Sequence, residues 1–176
     1  MSIPAEEQPE HDPFYGWVIV ASVFMLSAVS FGALASVSVF LKPLSHEFGW
    51  SRASISFGYS LISFGSAVFG IIWGYLADKY GTRWFGLVAT AIMSGALFLL
   101  SSQSSLTQFY SLYFVFGAFG SSLVGAPLYA NVGFWFRKSP GLAIGLAASG
   151  GAAGQGVLPY VCGRLIENYG WQTAYV

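Results

Sequence analysis

The chain has 176 residues, of which 55% are hydrophobic and 8% are charged, and its net formal charge is zero. Because a soluble domain carries about 25% charged residues, this composition excludes an ordinary water-soluble protein. The few charges are clustered, so the stretches between them can be compared with the ~20 apolar residues that cross a bilayer. We expect an all-α, multi-pass integral membrane protein, because backbone amides inside a bilayer must pair within their own segment.

Residues 1–16 differ from the rest of the chain. They hold four acidic residues and no Lys or Arg, which is the opposite of the basic leader of a secretory signal peptide. We predict a short solvated tail over 1–16 and one membrane unit over 17–176.

Uncharged stretches predict five complete spans. The stretch from Trp84 to Phe136 is too long for one span, but the polar residues from Ser101 to Ser105 divide it into two. After Gly170 the remaining residues are too few to cross ~30 Å at ~1.5 Å per residue, so a sixth helix is begun but not completed. The predicted spans are residues 17–41, 54–77, 85–100, 109–134 and 140–162, with the sixth helix starting at 171.

The loop charges favour a cytoplasmic amino terminus in the cell (inner) membrane. In that orientation the inside loops carry four basic residues against three outside, in the sense of the positive-inside rule. The inside set is Lys79, Arg83, Arg137 and Lys138, and the outside set is Lys42, Arg52 and Arg164.

A short pattern recurs along the chain. Residues 74–81 and 163–170 share Gly, Leu, an acidic residue, Tyr and Gly in the same order, at an offset of 89 residues. Three predicted helices separate the two copies, so the copies lie on opposite sides of the membrane. This indicates an inverted three-plus-three repeat, as found in many secondary transporters, although chance similarity in a glycine-rich chain is the alternative.

The first copy carries a motif with its own physical logic. Gly74 permits close helix approach, Asp78 stands at the end of a helix, and Gly81 can adopt a positive φ. Lys79 and Arg83 supply cations that can pair or meet lipid phosphates. An ordinary basic turn, the structural alternative, needs the charges but neither the glycines nor the aspartate.

This loop resembles the signature of the major facilitator superfamily, in which only Thr82 departs by replacing a basic residue. The resemblance implies the amino-terminal six-helix half of a transporter, with a carboxy-terminal half as its partner. It also implies that Asp78 contacts a basic residue and a helix amino terminus of that other half, which holds a cytoplasmic gate shut.

Two further motifs resemble monocarboxylate transporters, and relatives of the oxalate/formate antiporters share much of the second. The first motif is Asp12, Gly16 and Trp17, with departures at Pro13 and Phe14. The second comprises Phe136, Lys138, Leu142, Ala143, Gly145, Ala147 and Gly150. Ser139 and Pro140 replace two arginines there, and Ala35 stands where familiar animal members carry a coupling lysine.

The predicted fifth helix contains Gly150 and Gly154, a small-xxx-small pair that allows close helix approach, and Pro159, which we expect to bend it. Such a helix suits a moving interface between transporter halves. Ordinary helix packing is the alternative.

The middle of each complete span lacks an ionisable residue, whose burial would cost ~2.5–3.5 kcal/mol. A cationic partner for an anionic substrate must therefore come from the missing half. Our first candidates for substrate contact are Ser122 and Tyr129, which share a helix face with Ala118 and Gly125; Asn131 and Gln155 are secondary. Alternatively, Ser122 bonds its own helix backbone and Tyr129 lies at the membrane interface.

We hypothesise secondary transport of a small organic anion, such as a monocarboxylate, by proton symport or anion exchange through alternating access. A membrane enzyme would need convergent acids, bases or nucleophiles, which the sequence does not show. We expect no cofactor, no metal and no nucleic-acid partner: the two histidines form no ligand cluster and Cys162 has no partner cysteine. The remaining alternative is a non-transporting membrane subunit or sensor derived from a transporter half.

Overall fold

The computed structural model describes residues 13–136 and 139–175, and all regular structure in these residues is helical. The short 3-10 turn Thr173–Tyr175 follows the last long helix. The five helices are Pro13–Phe48, Arg52–Tyr80, Phe85–Leu100, Leu106–Trp135 and Pro140–Tyr169. Residues 1–12 of the predicted tail 1–16, the charged pair 137–138 and residue 176 lie outside the described residues, whereas residues 13–16 of the predicted tail belong to the first helix.

Several helices continue beyond the predicted spans. The first helix runs past Lys42 and His46, and the second includes Asp78 and Lys79. These side chains are exposed, so a charge marks the end of the apolar span but does not require the helix to end.

Four helices in the described chain are long and apolar enough to cross a membrane. The third, Phe85–Leu100, has 16 residues and spans about 24 Å, less than the ~30 Å of a bilayer core. That it crosses the membrane therefore stays a prediction.

The two glycines that end the repeated segments have similar backbone conformations. Gly81 has φ 78° and ψ 172°, and Gly170 has φ 89° and ψ 165°. Each amide donates to a carbonyl four residues earlier, Ala77 and Ile166 respectively. The positive φ predicted for Gly81 is confirmed, and the same offset of 89 residues carries the second helix, Arg52–Tyr80, onto residues 141–169 of the fifth.

The first and fifth helices are in backbone contact. A Cβ on Gly150 would lie less than 3.0 Å from the Phe24 carbonyl oxygen, and one on Gly154 would lie equally close to that of Ala28. The predicted small-xxx-small packing is therefore present, whereas a role in gating stays a prediction. Pro159 lies inside the helix that continues to Tyr169.

The second helix packs in the same close manner against the fourth. A Cβ on Gly117 would lie less than 3.0 Å from the backbone of Ile62, and one on Gly58 would meet the Phe109 ring. The Tyr110 hydroxyl also donates to the Ser54 carbonyl oxygen at 3.0 Å. These contacts attach the first part of the fourth helix to the second helix.

The fourth helix is not continuous. It is α-helical over Leu106–Val115, π-helical over Phe116–Ser121, and resumes as Ala126–Trp135. Between them Gly125 has ψ −120°, outside helical values. Pro127, two residues later, has no amide to donate, so the break lies where glycine and proline together weaken helical hydrogen bonding.

The buried apolar residues form two clusters on either side of this break. The larger cluster includes Phe109, Phe116 and Val124 of the fourth helix. The smaller one, which we call the Gly81-end cluster, joins the start of the first helix, the Ala126–Trp135 segment and the start of the fifth helix. Its buried members are Val20, Val23, Leu128, Val132, Ala143 and Ala147.

Candidate functional site

The signature loop follows directly from the second helix. Asp78 and Lys79 lie exposed in its last turn, and the chain then reverses at Gly81 before the third helix begins at Phe85. The guanidinium of Arg83 lies 5.8 Å from the Trp84 ring centroid. Within the described residues the ion pair is Arg164–Glu167, so no described charge pairs with Asp78. A partner for Asp78 in another part of the protein stays a prediction.

Asn131 connects this loop to the fourth helix. Its side-chain Nδ2 donates a hydrogen bond of 2.6 Å to Thr82 Oγ1. Both residues line a cleft of about 900 Å³ at the Gly81 end, together with Arg83. Among the four predicted substrate contacts, Asn131 is thus the one that touches the signature loop.

Two hydrogen bonds join the first and fourth helices inside the bundle. Ser27 Oγ and Tyr129 Oη lie 2.9 Å apart, and Ser30 Oγ donates to Ser121 Oγ at 2.8 Å. Ser27 is fully buried and Ser30 nearly so. We call these four residues the hydroxyl seam.

Sequence reasoning identified only Tyr129 in this seam. The available signal was the spacing of Ser27 and Ser30, which puts two hydroxyls on one face of an otherwise apolar helix. Other serines on the same helix gave the same composition signal, but Ser22 and Ser36 bond their own helix backbone. Composition therefore could not distinguish the serines that bond another helix from those that bond their own.

Ser122 is buried and donates to the carbonyl oxygen of Ala118 on its own helix. The same carbonyl accepts a hydrogen bond of 2.9 Å from the indole of Trp73. Of the two alternatives for Ser122, the structure therefore shows the one in which its hydroxyl bonds the backbone of its own helix. Because a π segment and a break interrupt the helix, the predicted face of Ala118, Ser122, Gly125 and Tyr129 is not a regular one.

The other predicted contacts are separated. Tyr129 meets the first helix, Asn131 meets the loop, and Gln155 is exposed on the fifth helix. The structure therefore does not bring the four candidates into one pocket. A role for each in substrate binding stays a prediction.

The two motifs that resemble monocarboxylate transporters meet in space. The rings of Trp17 and Phe136 are 5.1 Å apart in an edge-to-face arrangement, and a Cβ on Gly16 would lie 3.1 Å from the Phe136 ring. Ala143 and Gly150 are buried, whereas Leu142 and Gly145 are exposed. Asp12 and Lys138 lie outside the described residues.

A smaller cavity of about 190 Å³ lies toward the Gly170 end. Its polar groups include the hydroxyls of Tyr113 and Tyr175, which lie 3.0 Å apart, and the thiol of Cys162. Either of the two hydroxyls can donate this hydrogen bond.

Small residues on the second and fifth helices lack neighbours in the described chain. Apart from the glycine's chain neighbours and the nearby backbone of its own helix, no described atom lies within 4 Å of a Cβ built on Gly70 or Gly74 of the second helix, or on Gly145 or Gly156 of the fifth. The close approach predicted for Gly74 therefore has no partner among the described residues.

Comparison with known proteins is consistent with these features. Residues 23–176 match the Major Facilitator Superfamily. The chain is 25% identical over 177 residues to "Riboflavin transporter RibJ" of Trypanosoma brucei brucei, covering 98% of this chain and 32% of that protein. It is 26% identical over 163 residues to "Monocarboxylate transporter 12" of Xenopus laevis, covering 93% and 34%.

A third relative is "MFS transporter asaE" of Aspergillus flavus, at 30% identity over an alignment of 176 positions, and the alignment covers 94% of this chain and 39% of that protein. The chain thus spans about a third of the length of the curated relatives it matches, which fits an amino-terminal part of such a protein. The match over residues 23–176 establishes that the chain belongs to the Major Facilitator Superfamily.

Proposed function

We propose that the protein containing this chain is a secondary active transporter that moves a small organic anion across a membrane by alternating access. Monocarboxylates are the proposed substrate class, and proton symport or anion exchange the proposed coupling. The amino terminus is assigned to the cytoplasm, in accordance with the loop charges.

The main support is the relation between the second and fifth helices. The repeat offset carries one onto the other, and both present small residues without neighbours, such as Gly74 and Gly156. Small residues let helix backbones approach closely and slide. A second, carboxy-terminal half packed on these two faces would rock about a site between the halves.

The hydroxyl seam is the basis for proposing that the substrate is polar. Ser27, Ser30, Ser121 and Tyr129 are neutral donors and acceptors, so they can orient a carboxylate without balancing its charge. The cation that balances the charge is assigned to the other half, because the central parts of these helices hold no ionisable side chain. A seam of hydroxyls alone offers no general base, so the proposal includes no covalent chemistry.

Riboflavin is the second candidate substrate. It is favoured by the neutrality of the seam, which suits a polar ring system that carries no carboxylate, and a relative is named as a riboflavin transporter. The further alternative, a non-transporting membrane subunit or sensor, is favoured if the reading frame ends after this half. A second six-helix half favours transport.

Uptake into proteoliposomes containing the complete protein tests the proposal. Labelled lactate, pyruvate, formate, oxalate, riboflavin, a sugar and a cationic drug are offered separately, with and without an inwardly directed proton gradient, and protein-free liposomes are the control. The proposal expects saturable uptake of at least one monocarboxylate. Saturable uptake of riboflavin alone favours the second candidate, and uptake of only sugars or cationic drugs contradicts both.

A further inference from the structure

We infer that Asn131 is a positioning residue that couples the signature loop to the hydroxyl seam, through the short helical segment Ala126–Trp135. The inference rests on the proposed function for its significance, because it assigns a path by which the loop and a central site influence each other. The path runs from Thr82 to Asn131, along the segment to Tyr129, and on to Ser27.

The segment can move as a unit because it is separated from the rest of its helix. Gly125 leaves the helical conformation, and Pro127 has no amide to restore the missing hydrogen bond. On the other side of the break, the π-helical stretch Phe116–Ser121 is held to the second helix at Gly117 and by the indole of Trp73. Interruptions of this kind are frequent at hinges.

The packing divides at the same place. Phe116 and Val124 belong to the large apolar cluster, whereas Leu128 and Val132 belong to the Gly81-end cluster. The segment therefore shares its core with the starts of the first and fifth helices. A displacement of Ala126–Trp135 would disturb that small cluster first, and it would reach the larger cluster through Leu26 and Phe85, which pack against both.

Two polar connections leave the segment in opposite directions. Asn131 reaches the loop at Thr82, and Tyr129 reaches the first helix at Ser27. Residues two apart on an α-helix point about 200° apart, so a single rigid turn can hold both partners at once. Movement of the loop is thus transmitted to the Ser27–Tyr129 hydrogen bond without any contact between Thr82 and Ser27.

The residue at position 82 determines the form of this connection. The signature that the loop resembles has a basic residue here, which could bond Asn131 only by donating to its side-chain oxygen from the end of a long, flexible side chain. Thr82 supplies a short hydroxyl with acceptor lone pairs at 2.6 Å. Thr82, the residue that departs from the signature, therefore has a specific hydrogen-bond partner in Asn131.

Hydrogen exchange of the complete protein in lipid nanodiscs tests the coupling without requiring transport. The substitution Thr82→Val removes the hydroxyl and keeps the shape. We expect amide exchange to become about two- to tenfold faster both in residues 81–85 and in residues 126–135. Thr90→Val is the matched control, because the Thr90 hydroxyl bonds the Gly86 carbonyl of its own helix. Thr82→Ser is expected to restore slow exchange.

The reverse experiment uses the other end of the path. Since coupling between two sites is reciprocal, Tyr129→Phe is expected to accelerate exchange in residues 81–85, whereas Tyr160→Phe, at an exposed site, is not. Asn131→Leu is a second variant with the same expectation in both regions, and Asn168→Leu is its control.

Two results overturn the inference. One is a Thr82→Val effect confined to residues 81–85 or no larger than that of Thr90→Val, and the other is an unchanged loop in Tyr129→Phe. Exchange is measured without substrate, so failure of anion uptake counts against the proposed function and leaves the coupling intact.

Discussion

Gly154 of the fifth helix lies against the backbone of Ala28 on the first helix, where a Cβ would come within 3.0 Å of the Ala28 carbonyl oxygen. Gly154→Ala must therefore push the two helices apart, and we expect a destabilisation of about 1–3 kcal/mol. Thermal unfolding in detergent, followed by the loss of the monodisperse peak, measures it. Gly163→Ala is the control on the same helix, because a Cβ there makes only an ordinary contact with Val39 of the first helix. Equal stability of the two variants would contradict the packing.

Gly81 and Gly170 adopt positive φ with extended ψ, a region that is essentially restricted to glycine. Gly81→Ala and Gly170→Ala should each cost about 1–3 kcal/mol, in the same thermal assay. Gly86→Ala, within the third helix and with only an ordinary contact to Leu26, should be neutral or slightly stabilising. If one of the two turn variants were as stable as Gly86→Ala, the structural equivalence of the two turns would be wrong.

The hydroxyl seam predicts specific effects on substrate affinity. Tyr129→Phe leaves the buried Ser27 hydroxyl without its partner, and Ser27→Ala does the converse. In the complete protein we expect each to raise the KM for uptake by about two- to tenfold, because each removes a hydroxyl that is proposed to bond the substrate. Ser38→Ala is the control, because the Ser38 hydroxyl bonds the Ala35 carbonyl of its own helix and lines neither of the two cavities described above. Unchanged KM in both seam variants would remove the seam from the site.

Asp78 is exposed and has no ionic partner among the described residues, as expected if its partner lies in the other half. Asp78→Asn in the complete protein should lower the maximal uptake rate several-fold while leaving substrate binding in place. Parallel measurements of initial uptake rates and of equilibrium binding separate the two effects. Glu167→Gln, which removes an exposed carboxylate paired with Arg164, should leave both unchanged. Wild-type rates in Asp78→Asn would eliminate the gate role.

Hydropathy was sufficient to predict the helices, because uncharged stretches of this length have few alternatives in a membrane. Hydropathy predicted the ends of the helices less accurately. The first helix continues through Lys42 to Phe48, since exposed charged residues can extend a helix beyond its apolar part. The sharp turn at Gly81 was easier, because a positive φ singles out glycine and Gly81 stands between two helical patterns, but the positive φ of Gly49 and Gly170 was not predicted.

The candidate site was harder to predict than the fold. Regular helical spacing grouped Ser122 with Tyr129, but the π segment and the break at Gly125 change the direction of each side chain. The hydrogen-bond partners of Tyr129 and Asn131 lie 102 and 49 residues away in sequence, and no local sequence pattern predicts such contacts. They became visible only in the packed helices.

The central claim is that the complete protein works by alternating access, and substrate exchange tests it most directly. Proteoliposomes are preloaded with an unlabelled substrate that the uptake assay has identified, and initial uptake of the labelled form is compared with that of unloaded vesicles. The account predicts saturable uptake that internal substrate accelerates, because a loaded site returns across the membrane in each cycle. Uptake that rises linearly with concentration and is indifferent to internal substrate would contradict it.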